Sequence, residues 1–342
     1  MVRAVSSRFA LGFPLSLLLA GCSSAATSTP PVTAPAADAG EAKPTGKTFN
    51  AAADAPSYSG KAYSAMQIYD LERNVYLDDV ALLEALDAER LVFFGEQHET
   101  APVQELELWL LQKSTERHDD MTLAMEHFQH DEQSVIDAYL AGKMSTSDFE
   151  KKSQPWTGYQ TYWKPLVEHM KSVGRPLVGL NVPDEALQQI YAAYPKTPLE
   201  VFNSWKPSFA YDAAIAPRPL SKWDATYEKY FDGSFDYKTH GAQMGMSEAE
   251  ALPYFTDLAH IRDETMAYFA SQALGSSGHV LVVAGDWHVQ TGLATPDRVV
   301  RYHGEGTSYV LVTTTPVDKL DDVKSETVSG RKLARFVLVY RK

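Results

Sequence analysis

The chain has 342 residues, a formal charge of −13 and one cysteine, Cys22. An acidic chain without a basic run lacks the electrostatic footprint of a nucleic-acid binder, and a lone cysteine excludes internal disulfides, CxxC redox pairs and thiolate metal sites. Its 44% hydrophobic content is enough for one large core that is stable without covalent staples.

The amino terminus carries Arg3 and Arg8, an apolar run over residues 9–20, then Gly21-Cys22. Basic, apolar and small segments in that order read as a secretory signal, and the apolar run is short for a membrane span. Leu19-Ala20-Gly21-Cys22 resembles a bacterial lipoprotein signal. Residues 1–21 are therefore expected to be removed and Cys22 acylated, which would tie the protein to the cell envelope through its acyl chains. Ser23 resembles the class sorted to the outer membrane. Residues 22–60 are rich in Ala, Pro, Ser and Thr and read as a flexible tether. Residues 61–342 read as a single domain.

Along that domain, Ile68-Tyr69-Asp70 and Asn74-Val75-Tyr76-Leu77 read as short strands around a turn. Residues 78–89 read as a helix with Val80, Leu83 and Leu86 on one face. Leu91-Val92-Phe93-Phe94 is a buried strand that stops at Gly95 and opens into Glu96, His98 and Glu99. A helix over about 102–116 follows, with Pro102 in its first turn. Residues 121–127 form another apolar strand, closing on Glu126-His127. A helix starts near Asp131, and then Trp156, Tyr159, Tyr162 and Trp163 form an aromatic tract leading into a helix that ends near Gly174. Residues 175–181 are a third strand, ending on Asn181, with a helix after Pro183. Strand and helix in alternation argue for α/β architecture, a mostly parallel sheet with helices on both faces and right-handed crossovers.

Residues 195–245 contain five prolines and no clean period. They read as an irregular helical insertion over the sheet, placed as a lid would be. Residues 247–274 form one long amphipathic helix whose Ser247-x-x-Glu250 start suits a capping box. Val280-Leu281-Val282-Val283-Ala284 is then an apolar strand that ends in Gly285-Asp286-Trp287-His288. Three further segments, 298–302, 309–314 and 334–340, make a β-rich tail.

The second Gly-x-x-His repeats the first: apolar strand, glycine, acid, and a histidine three residues after the glycine. As bare motifs the two are weak, but their shared position at a strand exit points to one site. In a parallel sheet such ends line one edge, where Glu96, His98, Glu126, His127, Asn181, Asp286 and His288 can converge. His98, Glu126 and His288 offer two imidazoles and a carboxylate, a feasible set for a divalent metal with an open position. Without metal, Glu96 and Glu126 could work as acid and base with His98. A hydrogen-bonded polar rim is the plainer alternative. The aromatics Trp156, Tyr159, Tyr162 and Trp163 suit core packing, or a flat wall for a planar ligand; a tyrosine phenolate is also a haem-iron ligand type.

These residues together resemble a known family. Gly95-Glu96-Gln97-His98, Ala124-Met125-Glu126, the Trp-rich segment before 159–165, Gly179-Leu180-Asn181, Arg262-Asp263-Glu264-Thr265-Met266-Ala267 and Gly285-Asp286-Trp287-His288-Val289 occur in the order found in ChaN-like haem-binding lipoproteins. That family sits within the wider Tiki/erythromycin-esterase-like/TraB superfamily. The resemblance implies a polar centre of His98, Glu126, Arg262 and His288, and with Glu96 from the acid/base reading these make up the candidate catalytic set. The resemblance also implies haem binding with a tyrosine ligand, Tyr159 or Tyr162 beside Trp156 and Trp163, and a homodimer around paired haems. The implied function is a haem-binding envelope lipoprotein in iron or haem handling. The alternative is a metal-dependent hydrolase.

Overall fold

The structure, a computed structural model, describes residues 66–276 and 278–341. The signal sequence, Cys22 and the tether lie outside the described residues. In chain order the strands are β1 (Gln67–Asp70), β2 (Val75–Leu77), β3 (Leu91–Glu96), β4 (Met121–Gln129), β5 (Leu177–Asn181), β6 (His279–Gly285) and β7 (Val310–Pro316). A small ribbon of β8 (Thr327–Val328) and β9 (Arg331–Lys332) follows, then β10 (Phe336–Tyr340). The main sheet runs β2-β1-β10-β7-β3-β6-β4-β5. Every neighbouring pair from β10 to β5 is parallel, and β1 is antiparallel to both of its neighbours.

The inner strands are continuously apolar because both of their faces are covered. Period two sorts their side chains. Leu91, Phe93, Ala124, Val280, Val282 and Ala284 face one way, where Met266, Ala267 and Phe269 of the long helix pack on them. Val92, Phe94, Leu123, Met125, Leu281 and Val283 face the other way, toward the helix Ala101–Arg117 and the aromatic tract. The long helix spans Glu248–Leu274, and its capping box forms as the sequence suggests, with the Ser247 N–H donating to Glu250 Oε2 at 2.9 Å. The 195–245 segment is helical in pieces, Pro198–Ser204, Ala225–Ser234 and Tyr237–Gln243. Phe202, Tyr227, Tyr230 and Phe231 from it pack with Tyr254, Phe255 and Leu258 of the long helix.

Two local readings are corrected. Val80 is 56% exposed, and Leu82 joins Leu83 and Leu86 on the buried arc of the helix Asp79–Asp87. Residues 298–302 are not a strand but belong to the helix Thr295–His303. Their β-branched residues favour a strand locally, but tertiary charge pairing overrides that preference. Helical spacing brings Arg298 and Arg301 together on the buried Glu264: Arg298 Nε donates to Glu264 Oε1 at 3.1 Å and Arg301 at 2.5 Å, while the Tyr302 hydroxyl takes Oε2 at 2.8 Å. Arg298 is itself buried. Glu264→Gln would strip its counter-charge and is expected to destabilise the fold by about 3 kcal/mol, read as a lowered urea midpoint with an unchanged slope.

Candidate functional site

Strand order assembles the site. β6 lies between β3 and β4, so the two Gly-x-x-His turns leave adjacent strands side by side, with Glu96 registered against Gly285. Each motif's glycine makes room for the other motif. A Cβ on Gly95 would sit 2.6 Å from Asp286 Oδ1, and one on Gly285 would sit 2.8 Å from His98 Nε2. Gln97 bridges the turns as well, its Nε2 donating to Asp286 Oδ2 at 2.5 Å.

Period two then splits the polar groups into two halves. Glu126 continues the Ala124 face of β4, under the long helix. Its Oε1 accepts from an Arg262 guanidinium nitrogen at 2.9 Å and lies 3.3 Å from His288 Nε2, and its Oε2 accepts from the Gly285 N–H at 2.8 Å. Arg262 Nε also donates to Asn181 Oδ1 at 3.2 Å. Asp263, the next helical residue, pairs with His288 Nδ1 at 2.7 Å and accepts from Thr295 Oγ1 at 2.7 Å and from the Tyr227 hydroxyl at 2.5 Å. On the opposite face, Glu96 Oε1 pairs with His98 Nδ1 and with His127 Nε2, the latter at 2.5 Å. Its Oε2 accepts from Gln104 Nε2 at 3.0 Å and from Trp163 Nε1 at 3.1 Å. His98 lies over the end of β6, between the halves.

These charges are buried, and each is set by its partners. Burial disfavours the ionised form of Glu126, but the positive charges of His288, then Arg262 and His98, hold it well below the ordinary carboxylate range. Asp263 is lowered against burial chiefly by His288. His288 is raised: burial opposes its charge, and Glu126 and Asp263 outweigh burial. His98 is likewise raised, to about 9, because the Glu96 carboxylate and then Glu126 overcome desolvation. Burial and the charge on Glu96 push the neighbouring Glu107 well above its usual range, so this second carboxyl keeps its proton.

The structure thus brings Glu96, His98, Glu126, Arg262 and His288 to one edge. It does not gather His98, Glu126 and His288 into a metal-ligand set, because Arg262 already neutralises Glu126 and Asp263 holds His288. Among the described residues the group with metal-ligand spacing in this centre is Glu96, His98 and His127. The aromatic tract divides too. Trp163 hydrogen-bonds Glu96 and lies against His127 at a ring distance of 4.3 Å, and Trp156 meets His98 and His127 edge-on at 5.2 and 5.0 Å. Tyr159 is 3% exposed, packed near Phe128 and Phe149, and its hydroxyl has no hydrogen-bond partner among the described residues. Tyr162 is half-buried beside Trp163. Sequence reasoning missed His127 as a partner of Glu96, placed Asp263 only within the Arg262–Ala267 motif, and missed Tyr227, Gln104 and Glu107 altogether. Period two applied to Glu126-His127 would have separated those two side chains.

Two openings reach the centre. A cavity of about 620 Å³ is lined by Glu96, His98, Asp286, Thr313 to Thr315 and Lys319. A separate aromatic cleft is lined by Leu187, Tyr191, Phe231, Phe235, Leu258 and Trp287, with Asp184 and Arg262 at its polar end.

An α/β sheet whose two Gly-x-x-His turns interlock beneath a helix-borne Arg-Asp-Glu defines the class of protein. The family model described as haem-binding uptake, Tiki superfamily, ChaN matches residues 82–299, and the chain belongs to that family. ChaN of Campylobacter jejuni, whose structure is described as showing cofacial haem binding, aligns at a TM-score of 0.55 with 14% identity, covering 81% of this chain and 97% of that one. That likeness shows the shared fold. An erythromycin esterase variant in its open conformation aligns at 0.42 with 15% identity, over 77% of this chain and 78% of that one. A protein from Bacillus cereus aligns at 0.41 with 13% identity, over 69% and 68%. No curated protein matches.

The raised pKa of His98 fixes the sign of a pH effect. Because the folded value lies above the ordinary 6.5, its contribution is complete below 6.5 and is lost as pH rises through about 9. The rise corresponds to about 3 kcal/mol. The difference in unfolding free energy between wild type and His98→Asn should therefore be constant below pH 6.5 and shrink through about 9. A difference that grows with pH would contradict the Glu96–His98 pairing.

Proposed function

We propose that this chain is a haem-binding protein and that haem docks against the mouth of the aromatic cleft beside Arg262. The family match over residues 82–299 carries the reading, and the donor set of the cleft supports it. Phe235 and Trp287, both part-exposed, offer flat apolar surface to a macrocycle. Arg262, at the polar end, suits a carboxylate group. Tyr191 lines the same cleft and presents a phenol, a ligand type for haem iron. Burial raises the Tyr191 pKa, and the Arg262 charge works against that rise, toward phenolate. Tyr159 and Tyr162 do not line this cleft, so Tyr191 replaces them as the ligand we propose. Haem, when bound, supplies the iron; the chain's own residues bind, orient and shield it.

A hydrolytic role using either motif histidine as a free base is less well supported. The carboxylates facing both imidazoles raise their pKa values, which works against a free base, whereas haem binding makes no such demand. The cofacial haem binding described for the C. jejuni protein supports, as part of this proposal, pairing of two haem-loaded chains in iron or haem handling. Acylation of Cys22 and outer-membrane anchoring belong to the same proposal. Labelled palmitate should enter wild type and not Cys22→Ala.

Hemin titration followed in the Soret region tests the binding. Wild type should saturate near one haem per chain, and Tyr191→Phe should shift the band and weaken binding by roughly tenfold or more, about 1.4 kcal/mol. Saturable wild-type binding with an unchanged Tyr191→Phe spectrum would remove Tyr191 as ligand. No saturation by wild type would sink the haem reading.

A further inference from the structure

The half of the centre on the Glu96 face has no task in haem binding, yet it is built with care. Glu96 and His127 are each 1% exposed. One oxygen of Glu96 faces two imidazole nitrogens, and the ligating atoms of Glu96, His98 and His127 all lie within 4.8 Å of one another. We propose that these three side chains form a binding site for a divalent cation of the zinc class, held by Glu96 Oε1, His98 Nδ1 and His127 Nε2.

Four observations carry this. Two imidazoles and one carboxylate are a first shell that such an ion takes with a position left open. The carboxylate is oriented from behind, since Gln104 and Trp163 both donate to Oε2 and leave Oε1 toward the histidines, which is how ligating carboxylates are fixed. His127 buries an imidazole whose Nδ1 has no hydrogen-bond partner among the described residues. Nε2 is therefore the engaged nitrogen of this ring, and it faces Glu96 Oε1. The ring is held with Nε2 on Glu96 by Trp163 on one side and Trp156 at its edge. Finally, Glu96 and His98 also line the 620 Å³ cavity, which gives the ion an entry path and room for a further ligand.

The set differs from the one the paired motifs suggest. The expected third ligand, Glu126, already has the Arg262 guanidinium at 2.9 Å, and a second cation there would meet like charge. Glu96 has no arginine or lysine among its partners.

The test uses the full chain, haem-free and stripped of metal by chelation. Co²⁺ is titrated in and followed by its visible d–d absorption, with Zn²⁺ competing in equilibrium dialysis. Wild type should take up one equivalent and develop bands of low-coordinate cobalt that zinc abolishes. His127→Gln should weaken binding at least tenfold. Trp163→Phe, which removes the hydrogen bond to Glu96 and part of the indole wall against His127, should weaken it by about tenfold. His118→Gln, in the partly exposed His118–Asp120–His279 group at the other end of the sheet, should bind as wild type does. Loss in His118→Gln but not His127→Gln would place the ion on the surface and overturn the proposal. Loss in His288→Gln but not His127→Gln would place it in the paired motifs and overturn it equally. A wild type that shows no saturable cobalt band refutes the site even if His127→Gln fails to fold.

Discussion

A carboxylate buried at the end of a strand must be matched by positive charge and hydrogen bonds, or it will take up a proton. Glu126 is matched from three directions, by Arg262, by His288 and by the backbone N–H of Gly285, and much of the domain is arranged to supply those partners. Arg262 fixes where the long helix crosses the sheet, because its guanidinium spans from Glu126 on β4 to Asn181 on β5. The next residue, Asp263, holds the second Gly-x-x-His turn by His288 and the following helix by Thr295. Glu264 then ties down Arg298 and Arg301. Successive helical residues point about 100° apart, so three consecutive ionic side chains clamp three separate parts of the chain. Apart from Arg301, whose side chain is 59% exposed, these groups lie largely out of water, where screening by salt is weak.

Much of this was legible from the residues alone, for identifiable reasons. Apolar runs ending at Gly95 and Gly285 announce buried strands, and an acid after each glycine announces the polar edge. Strand order was not legible. The pairing of Leu91 with Val280 is non-local, and nothing in either segment names its neighbour. The split of Glu126 from His127 was legible in principle, since adjacent strand residues face opposite ways, but a search for metal-like groupings overrides that parity. Asp263 was harder to see: Arg262-Asp263-Glu264 on a helix looks like a solvated charge run until the covering segments from 195–245 and Thr295–His303 are in place. The same burial explains why 298–302 reads as strand and folds as helix.

The aromatic tract shows how composition underdetermines use. Trp163 and Tyr159 are four residues apart and both buried, yet Trp163 spends its N–H on Glu96 while Tyr159 fills the core beneath β4. An indole donor placed on a buried carboxylate adds charge stabilisation without adding charge. That matters on this face, where Glu107 is kept neutral and where one net negative group is shared by two imidazoles. The aromatic surface suited to a planar ligand comes instead from the helical insertion and Trp287, on the other side of the sheet.

The echo between the two motifs is at root a packing requirement. Gly95 admits the Asp286 carboxylate and Gly285 admits the His98 ring, each from the other motif. A side chain at either position would force the two turns apart and carry His98 away from Gly285, the residue whose N–H also fixes Glu126. Because the relation is reciprocal, neither glycine can change alone without disturbing both turns, whatever chemistry the histidines serve. The recurrence of glycine at the two strand ends therefore follows from the parallel pairing of β3 with β6. The half-sites on the two faces of the sheet are built around that junction.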